Sequence, residues 1–390
     1  MNAERIYMDN AATTRTDPRV VEAMLPFFTE TYAVASSQFS HTPGILAKEA
    51  LDRSRATVAE KLGADPGEIV FTSGGTESNN LAIKGAWMAR RGIKDHVVCS
   101  KVEHNAVLHT CQWLEKEGVR VTYLDVDGQG FLDPDRLRSS LTDRTALVSI
   151  QHGNQEVGTV QDIQTLAVIC RERGVLFHTD AALSFTQLPL DVRSVPVDMI
   201  SLSSHKIHGP KGVGALYIRK GTRLVKGMHG GYHENDLRAG TENVAGIVGF
   251  GKAVELAEPE HVVFLRALQE AMMQRLTAEI PGAELNGPSD RNRRLPGNVN
   301  VSFAHVEGES VVLHLDMKGI SVITGSACFS RSLEPSHVMM AMGFSHERAH
   351  GSVRCTLSRF NRMDEVDRVV AALQEVIAAL RAISPLTEKE

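Results

Sequence analysis

Val197-Asp-Met-Ile-Ser-Leu-Ser-Ser-His-Lys206-Ile-His-Gly-Pro-Lys-Gly-Val-Gly-Ala-Leu-Tyr217 is the stretch on which the reading of this chain turns. Residues 199–202 read as a short buried strand and residues 213–218 as another. Between them a Ser-Ser-His-Lys turn runs into Gly209-Pro210, a strong breaker of regular structure. Lys206 therefore sits on a loop at a strand end, among hydroxyls and imidazoles. An ordinary surface lysine on a turn is the plainer reading. The sharper one is an amine nucleophile: a partly desolvated lysine loses its proton readily and forms a Schiff base with an aldehyde.

Working outward, Glu68-Ile-Val-Phe-Thr-Ser-Gly-Gly-Thr-Glu-Ser-Asn-Asn80 is a strand (69–72) that turns through glycines into a helix (77–88). Backbone N–H groups at such a helix start make an anion site suited to a phosphate, here at Gly75 and Thr76. The alternative is a plain glycine turn, since the pattern matches neither a dinucleotide fingerprint nor a Walker loop. Strand and helix then alternate over 97–100, the helix after Glu103-His104, 119–124, 146–150, 162–173 and 175–178. That alternation predicts a mainly parallel sheet wrapped in helices, with ligands at the strand C-terminal ends. His104, Asn154-Gln155, Asp180 and Ser203-His205-Lys206 all fall at such ends. Asp180 reads either as a helix cap or as a carboxylate for a heterocyclic nitrogen.

Earlier in the chain, Asp17-Pro18 starts a helix, and a long helix is expected over 45–62, stopped by Gly63. Gly230-Gly-Tyr-His-Glu-Asn-Asp-Leu-Arg-Ala-Gly-Thr-Glu-Asn243 is a polar loop whose length marks a functional segment or a subunit contact. Glu258-Pro259 is a reasonable start for a smaller C-terminal domain, with strands over 299–303, 321–323 and 353–357 and helices over 310–317 and 364–383. Within it, Gly325-Ser-Ala-Cys328-Phe-Ser-Arg-Ser-Leu-Glu-Pro-Ser336 sets Cys328 among small and polar residues, so it is the candidate reactive thiol. Cys99, Cys111, Cys170 and Cys355 lie in apparent strands or helices, where an inert buried thiol is expected. His346 and His350 have metal-ligand spacing, but no third ligand lies nearby and no metal is expected.

The 390 residues, 42% hydrophobic, can bury a large core split over two domains. A net charge of -5 gives no case for nucleic acid or an acidic membrane as direct partner. No apolar run approaches a membrane span, the first residues carry no signal core, and five scattered cysteines fit a reducing cytoplasm.

These stretches together resemble the cysteine desulfurases of the NifS/IscS type, class V aminotransferase relatives that bind pyridoxal 5'-phosphate. The motifs that carry the resemblance run in order over nearly the whole chain: Asp9-Asn-Ala-Ala-Thr-Thr14, Thr72-Ser-Gly-Gly-Thr-Glu-Ser-Asn-Asn80, Glu103-His104, Asn154-Gln-Glu-Val-Gly158, His178-Thr-Asp180, Ser203-Ser-His-Lys206, Gly240-Thr-Glu-Asn243, Gly325-Ser-Ala-Cys328, Glu334-Pro-Ser-His337 and the Arg354 segment. The resemblance implies an α/β protein of the aspartate-aminotransferase-like fold type I. Its large domain (15–257) would hold a mainly parallel seven-stranded sheet, and a smaller α+β domain (1–14 and 258–390) would carry the cysteine loop. It further implies that Lys206 holds the cofactor aldehyde and later moves the substrate's Cα proton. Asp180 would pair with the pyridine nitrogen and His104 would stack on the ring. Gly75, Thr76, Ser203 and His205 would hold the phosphate, with Gln155 beside the ring. Thr241 would reach the phosphate of the other subunit in a homodimer. Asn10, Asn154 and Arg354 would bind the substrate, L-cysteine, with Arg354 gripping its carboxylate. Cys328 would take the sulfur as a persulfide and pass it to acceptor proteins such as an iron–sulfur scaffold, or toward tRNA thiolation or DNA phosphorothioation.

The chain departs from the family pattern in its pocket. Gln155 stands where an asparagine is usual, and Leu183 stands where a glutamine donates to the cofactor's phenolic oxygen, which leucine cannot do. Ser36-Ser-Gln-Phe39 replaces an Asn-Pro-Ser-Ser loop, and His233 replaces a glutamine. Two other readings stay open on sequence alone: another enzyme of the same fold, such as a selenocysteine lyase or aminotransferase, or a non-catalytic docking scaffold.

Overall fold

The computed structural model describes residues 5–325 and 335–384. Its centre is a seven-stranded sheet built from β2 (Ile69–Thr72), β3 (His96–Ser100), β4 (Arg120–Leu124), β5 (Thr145–Ser149), β6 (Leu176–Asp180), β7 (Met199–Ser203) and β8 (Gly214–Ile218), following the short N-terminal β1 (Ile6–Tyr7). The strand order is β2-β8-β7-β6-β5-β3-β4. Only β8 opposes its neighbours, antiparallel to both β2 and β7, while the other inner pairs are parallel. Six strands therefore end on one side of the sheet. β5, β7 and β8 are buried along their whole length, so apolar residues follow one another on both faces, as in Ala146-Leu-Val148 and Ala215-Leu-Tyr-Ile218, and the serines of β7 are buried as well.

Helices cover both faces: α1 (Pro18–Met24), α2 (Thr42–Leu62), α3 (Gly75–Met88), α4 (Asn105–Lys116), α5 (Pro134–Ser140), α6 (Ile163–Glu172) and α7 (Val244–Glu255). Helix α2 starts three residues before the expected position. The His41 ring accepts from the Gly44 N–H and Pro43 fits the first turn, so the cap lies upstream of the first apolar residue. Its end is as expected, with Gly63 left-handed at φ 66°. Helix α5, capped by Asp133, was not expected from the sequence, being only seven residues long.

The rest of the chain builds a second core. Helices α8 (Pro259–Glu279), α9 (Gly308–Met317) and α10 (Met363–Ile383) pack on an antiparallel sheet of β9 (Ala283–Leu285), β10 (Asn298–Phe303) and β12 (Ser352–Thr356). Ile6 and Met8 belong to this core, and β1 pairs with β11 (Ile320–Ser321), so the N-terminal arm packs with the C-terminal elements. Buried Arg294 laces the connection before β10 by donating to the carbonyls of Asn286, Pro288 and Asn298.

At one point two backbones meet so closely that a side chain cannot enter. A Cβ on Gly214 would lie 2.5 Å from the Leu202 carbonyl and 2.6 Å from the Gly74 Cα. Gly214→Ala is expected to cost about 1–3 kcal/mol and to lower the thermal midpoint. An unchanged melting curve would contradict this close packing of β8 on the turn after β2.

Candidate active site

A cleft of about 370 Å³ opens where the six strands end. Its floor begins at β2, whose turn passes through Gly74 at φ 149°, a conformation open to glycine, and delivers Gly75 and Thr76 as the first residues of α3. Among the described residues no side chain caps α3. Its free N–H groups and the positive end of its dipole therefore face the cleft. Across from them, Ser203 ends β7 with a buried hydroxyl that has no hydrogen-bond partner among the described residues. His205 follows, its Nδ1 3.1 Å from the Thr13 hydroxyl, with burial pushing its pKa down to about 4.

Lys206 lies on the cleft wall, and its Nζ donates to the carbonyls of Ala11 and, at 2.8 Å, Ala12. Asp180 ends β6. Its Oδ1 accepts from the Ala182 N–H at 3.0 Å and its Oδ2 from the Asn79 amide at 2.7 Å, so it caps the turn and also faces the cleft. His104 caps α4 by accepting from the Ala106 N–H at Nδ1, which assigns the ring proton to Nε2. Burial is the main cause that lowers its pKa, with the Lys206 charge adding to it and Asp180 opposing it. The imidazole is therefore neutral at pH 7.

Arg354, on β12, enters from the other core. It donates to Asp9 Oδ1 at 2.9 Å and to the Gln155 carbonyl at 3.1 Å, and its buried Nε–H has no partner among the described residues. Gln155 and Leu183 line the same cleft. Three expected residues stand elsewhere. Asn154 is buried, giving its amide to the Val102 carbonyl and accepting from the Glu156 and Val157 N–H groups, so its polar atoms shape the loop. Asn10 bonds the Thr356 carbonyl and borders a smaller pocket behind Lys206. Thr241 is exposed and outside the cleft. Cys328 lies outside the described residues, while Gly325 before it and His337 after it both line the cleft.

Several cleft residues carried no role in the sequence reading. Asn79 orients Asp180 from one turn into α3, a signal visible only in its spacing from Thr76. Glu156 is buried against Gly325, whose Cβ would lie 2.0 Å from its carboxyl. His337 bonds the Glu103 carbonyl at 3.0 Å. The uncapped helix, the partnerless Ser203 hydroxyl and a carboxylate held by an amide fit a phosphate-bearing heterocyclic aldehyde.

The family model described as aminotransferase class-V matches residues 6–369. The chain belongs to the class-V aminotransferase family. A relative named cysteine desulfurase IscS, from Clostridium botulinum, is 46% identical over 99% of this chain and 97% of its own. Among solved structures, a NifS-like protein superposes with a TM-score of 0.89 at 36% identity, covering 96% of this chain and all of its own. SspA in complex with cysteine gives 0.81 at 36% identity, covering 92% of this chain and all of its own. The fold is thus that of the family, as the resemblance implied.

The family site is surrounded by imidazoles held neutral by burial. His152 and His178, both fully enclosed, have pKa values of about 4, below the ordinary 6.5. His178 is held between the Ser149 and Ser201 hydroxyls. Because the unfolded chain takes up these protons first as pH falls, the stability is complete above pH 6.5 and is lost toward pH 4. Each of the two rings accounts for about 3 kcal/mol across that window. Thermal midpoints measured from pH 7.5 to 4.5 should fall steeply below pH 6.5. A flat profile would contradict the buried neutral state.

Proposed function

We propose that the protein is a pyridoxal-phosphate-dependent cysteine desulfurase, taking sulfur from L-cysteine, releasing L-alanine and carrying the sulfur on Cys328 to an acceptor protein. The observation that carries the reading is the meeting of Lys206, Asp180, His104 and Arg354 with an uncapped helix start in one cleft. When bound, pyridoxal phosphate supplies an aldehyde carbon for a lysine amine and a ring that accepts electrons from the substrate's Cα.

The chain's own residues do the rest. The Gly75 and Thr76 N–H groups, with Ser203 and His205, hold the phosphate. Asp180, fixed by Asn79, would pair with the pyridine nitrogen and keep it protonated. His104 would stack on the ring, with its Nε2 available for proton transfer. Lys206 takes the proton from Cα, and Arg354, steadied by Asp9, binds the substrate carboxylate. The Cys328 thiolate then attacks the substrate sulfur. The carbon–sulfur bond breaks with its electron pair left on carbon; one proton is added at Cβ and Lys206 returns one to Cα, which completes alanine, while Cys328 keeps the sulfur as a persulfide. Cys328 comes three positions after Gly325, which lines the cleft, a chain reach of at most about 10 Å.

The working unit of this reading is a homodimer in which Thr241 meets the phosphate of the other copy. The outward Thr241 supports it, as do Leu25, Phe28, Tyr32 and Phe39, apolar side chains left exposed near the N-terminus. Free thiols at Cys99, Cys111, Cys170 and Cys355 fit a reducing cytoplasm, and no helix among the described residues is long and apolar enough to cross a membrane. The acceptor is an iron–sulfur scaffold or a protein of tRNA thiolation or DNA phosphorothioation.

With L-cysteine and a thiol reductant, the holoenzyme should release sulfide and alanine in equal amounts. Cys328→Ala should keep the cofactor's visible absorbance yet lose about a hundredfold or more in rate. Sulfide formation untouched by that substitution would favour another chemistry on the same fold, and a colourless protein would favour a scaffold.

A further inference from the structure

The 230–243 loop forms no wall of the cleft, yet the chain adopts a strained path to place it. Glu234, Asn235 and Asp236 are left-handed in succession, with φ of 47°, 57° and 62°. Side chains disfavour this conformation, and a run of it persists only where the surroundings impose it.

The surroundings here are an edge of the main sheet. β2 has a neighbour on one side only, so the Ile69 carbonyl and the Phe71 N–H point outward. Arg55 of α2 donates from Nη1 to the Ile69 carbonyl at 2.7 Å and to Glu234 Oε2 at 2.7 Å, and from Nη2 to Glu234 Oε1 at 2.6 Å. Glu234 Oε2 accepts from the Phe71 N–H at 2.7 Å. The guanidinium lies 4.8 Å over the Phe71 ring, and the two side chains are 13% and 3% exposed. An ion pair thus takes the place of a missing strand. It is buried with both members hydrogen-bonded, so removing one leaves the other without its partner.

A second tie leads to the phosphate turn. Arg238 donates to Glu77 Oε1 at 3.0 Å, and Glu77 Oε2 accepts from the Ser73 N–H at 2.7 Å, so this bridge spans Gly74 to Thr76. Beyond Arg238 the chain turns through Gly240 at φ 104° and presents Thr241 to the outside. A loop fastened at the sheet edge and at one phosphate turn, with Thr241 exposed outside its own cleft, is built to serve a neighbouring one.

We propose that Arg55 and Glu234 are positioning residues for cofactor retention: their buried ion pair fixes the loop so that Thr241 meets the phosphate held by the second copy of the chain. This rests on the reading of Thr241 given above. The pair acts through Thr241 and touches neither cofactor nor substrate.

The test is the rate at which the holoenzyme dimer releases its cofactor, followed by the loss of visible absorbance from the protein fraction during gel filtration. It is measured for Glu234→Gln, Thr241→Ala and the double variant. Glutamine keeps an acceptor for the Phe71 N–H but removes the charge. Each single change is expected to speed release about tenfold, the double variant no more than Thr241→Ala alone, and all three should sediment as dimers. Arg55→Lys, which keeps the charge and loses the two-pronged grip, should also speed release and serves if Glu234→Gln does not fold. Wild-type release from Glu234→Gln beside fast release from Thr241→Ala would overturn the proposal. Effects that multiply in the double variant, or cofactor loss that follows only from dissociation into monomers, would overturn it too. Wild-type release from Thr241→Ala would instead refute the underlying reading of Thr241.

Discussion

The Lys206 amine donates to the carbonyls of Ala11 and Ala12, and through this contact the two packed halves of the molecule share one cleft. Lys206 follows a strand of the large sheet. The two alanines follow an arm whose Ile6 and Met8 are buried with the C-terminal elements. The carbonyls hold the amine where an aldehyde would enter. Arg354 is placed by the same arm, through Asp9 on one side and the Gln155 carbonyl on the other. A displacement of the arm would therefore move both Lys206 and Arg354.

The electrostatics of the cleft follow from what is left uncompensated. An uncapped helix start and a partnerless hydroxyl favour an anion on one side. On the other side, burial keeps the His104 ring neutral, so it can exchange a proton without first giving up a charge. Glu156, whose buried carboxyl leaves no room for a side chain at Gly325, is pushed toward the protonated form by burial, against the pull of the Ser336 hydroxyl and the Arg354 charge. These groups are strained or unsatisfied relative to an ordinary core, as functional sites are.

Much of this was legible in the sequence because it was written in local patterns. Breakers around Lys206 and glycines before Thr76 announced two strand ends, and period and length announced the sheet. The roles that were missed depend on contacts distant in sequence. Asn79 looks like a helix polar residue until β6 brings Asp180 to it. Asn154 gives its amide N–H to the Val102 carbonyl, 52 positions away, a contact that its own neighbourhood in the chain does not announce. Arg55 and Glu234 lie 179 positions apart, and nothing near either one in the chain announces the other. Helix α2 was placed late because its cap is an imidazole and not the usual hydroxyl or carboxylate.

The central claim is that one amine in this cleft carries the cofactor. Borohydride reduction of the holoenzyme, followed by digestion and peptide mass mapping, tests it directly. The account predicts a pyridoxyl group fixed on the peptide containing Lys206. Attachment at any other lysine, or no attachment in a protein that carries the cofactor's absorbance, would contradict it.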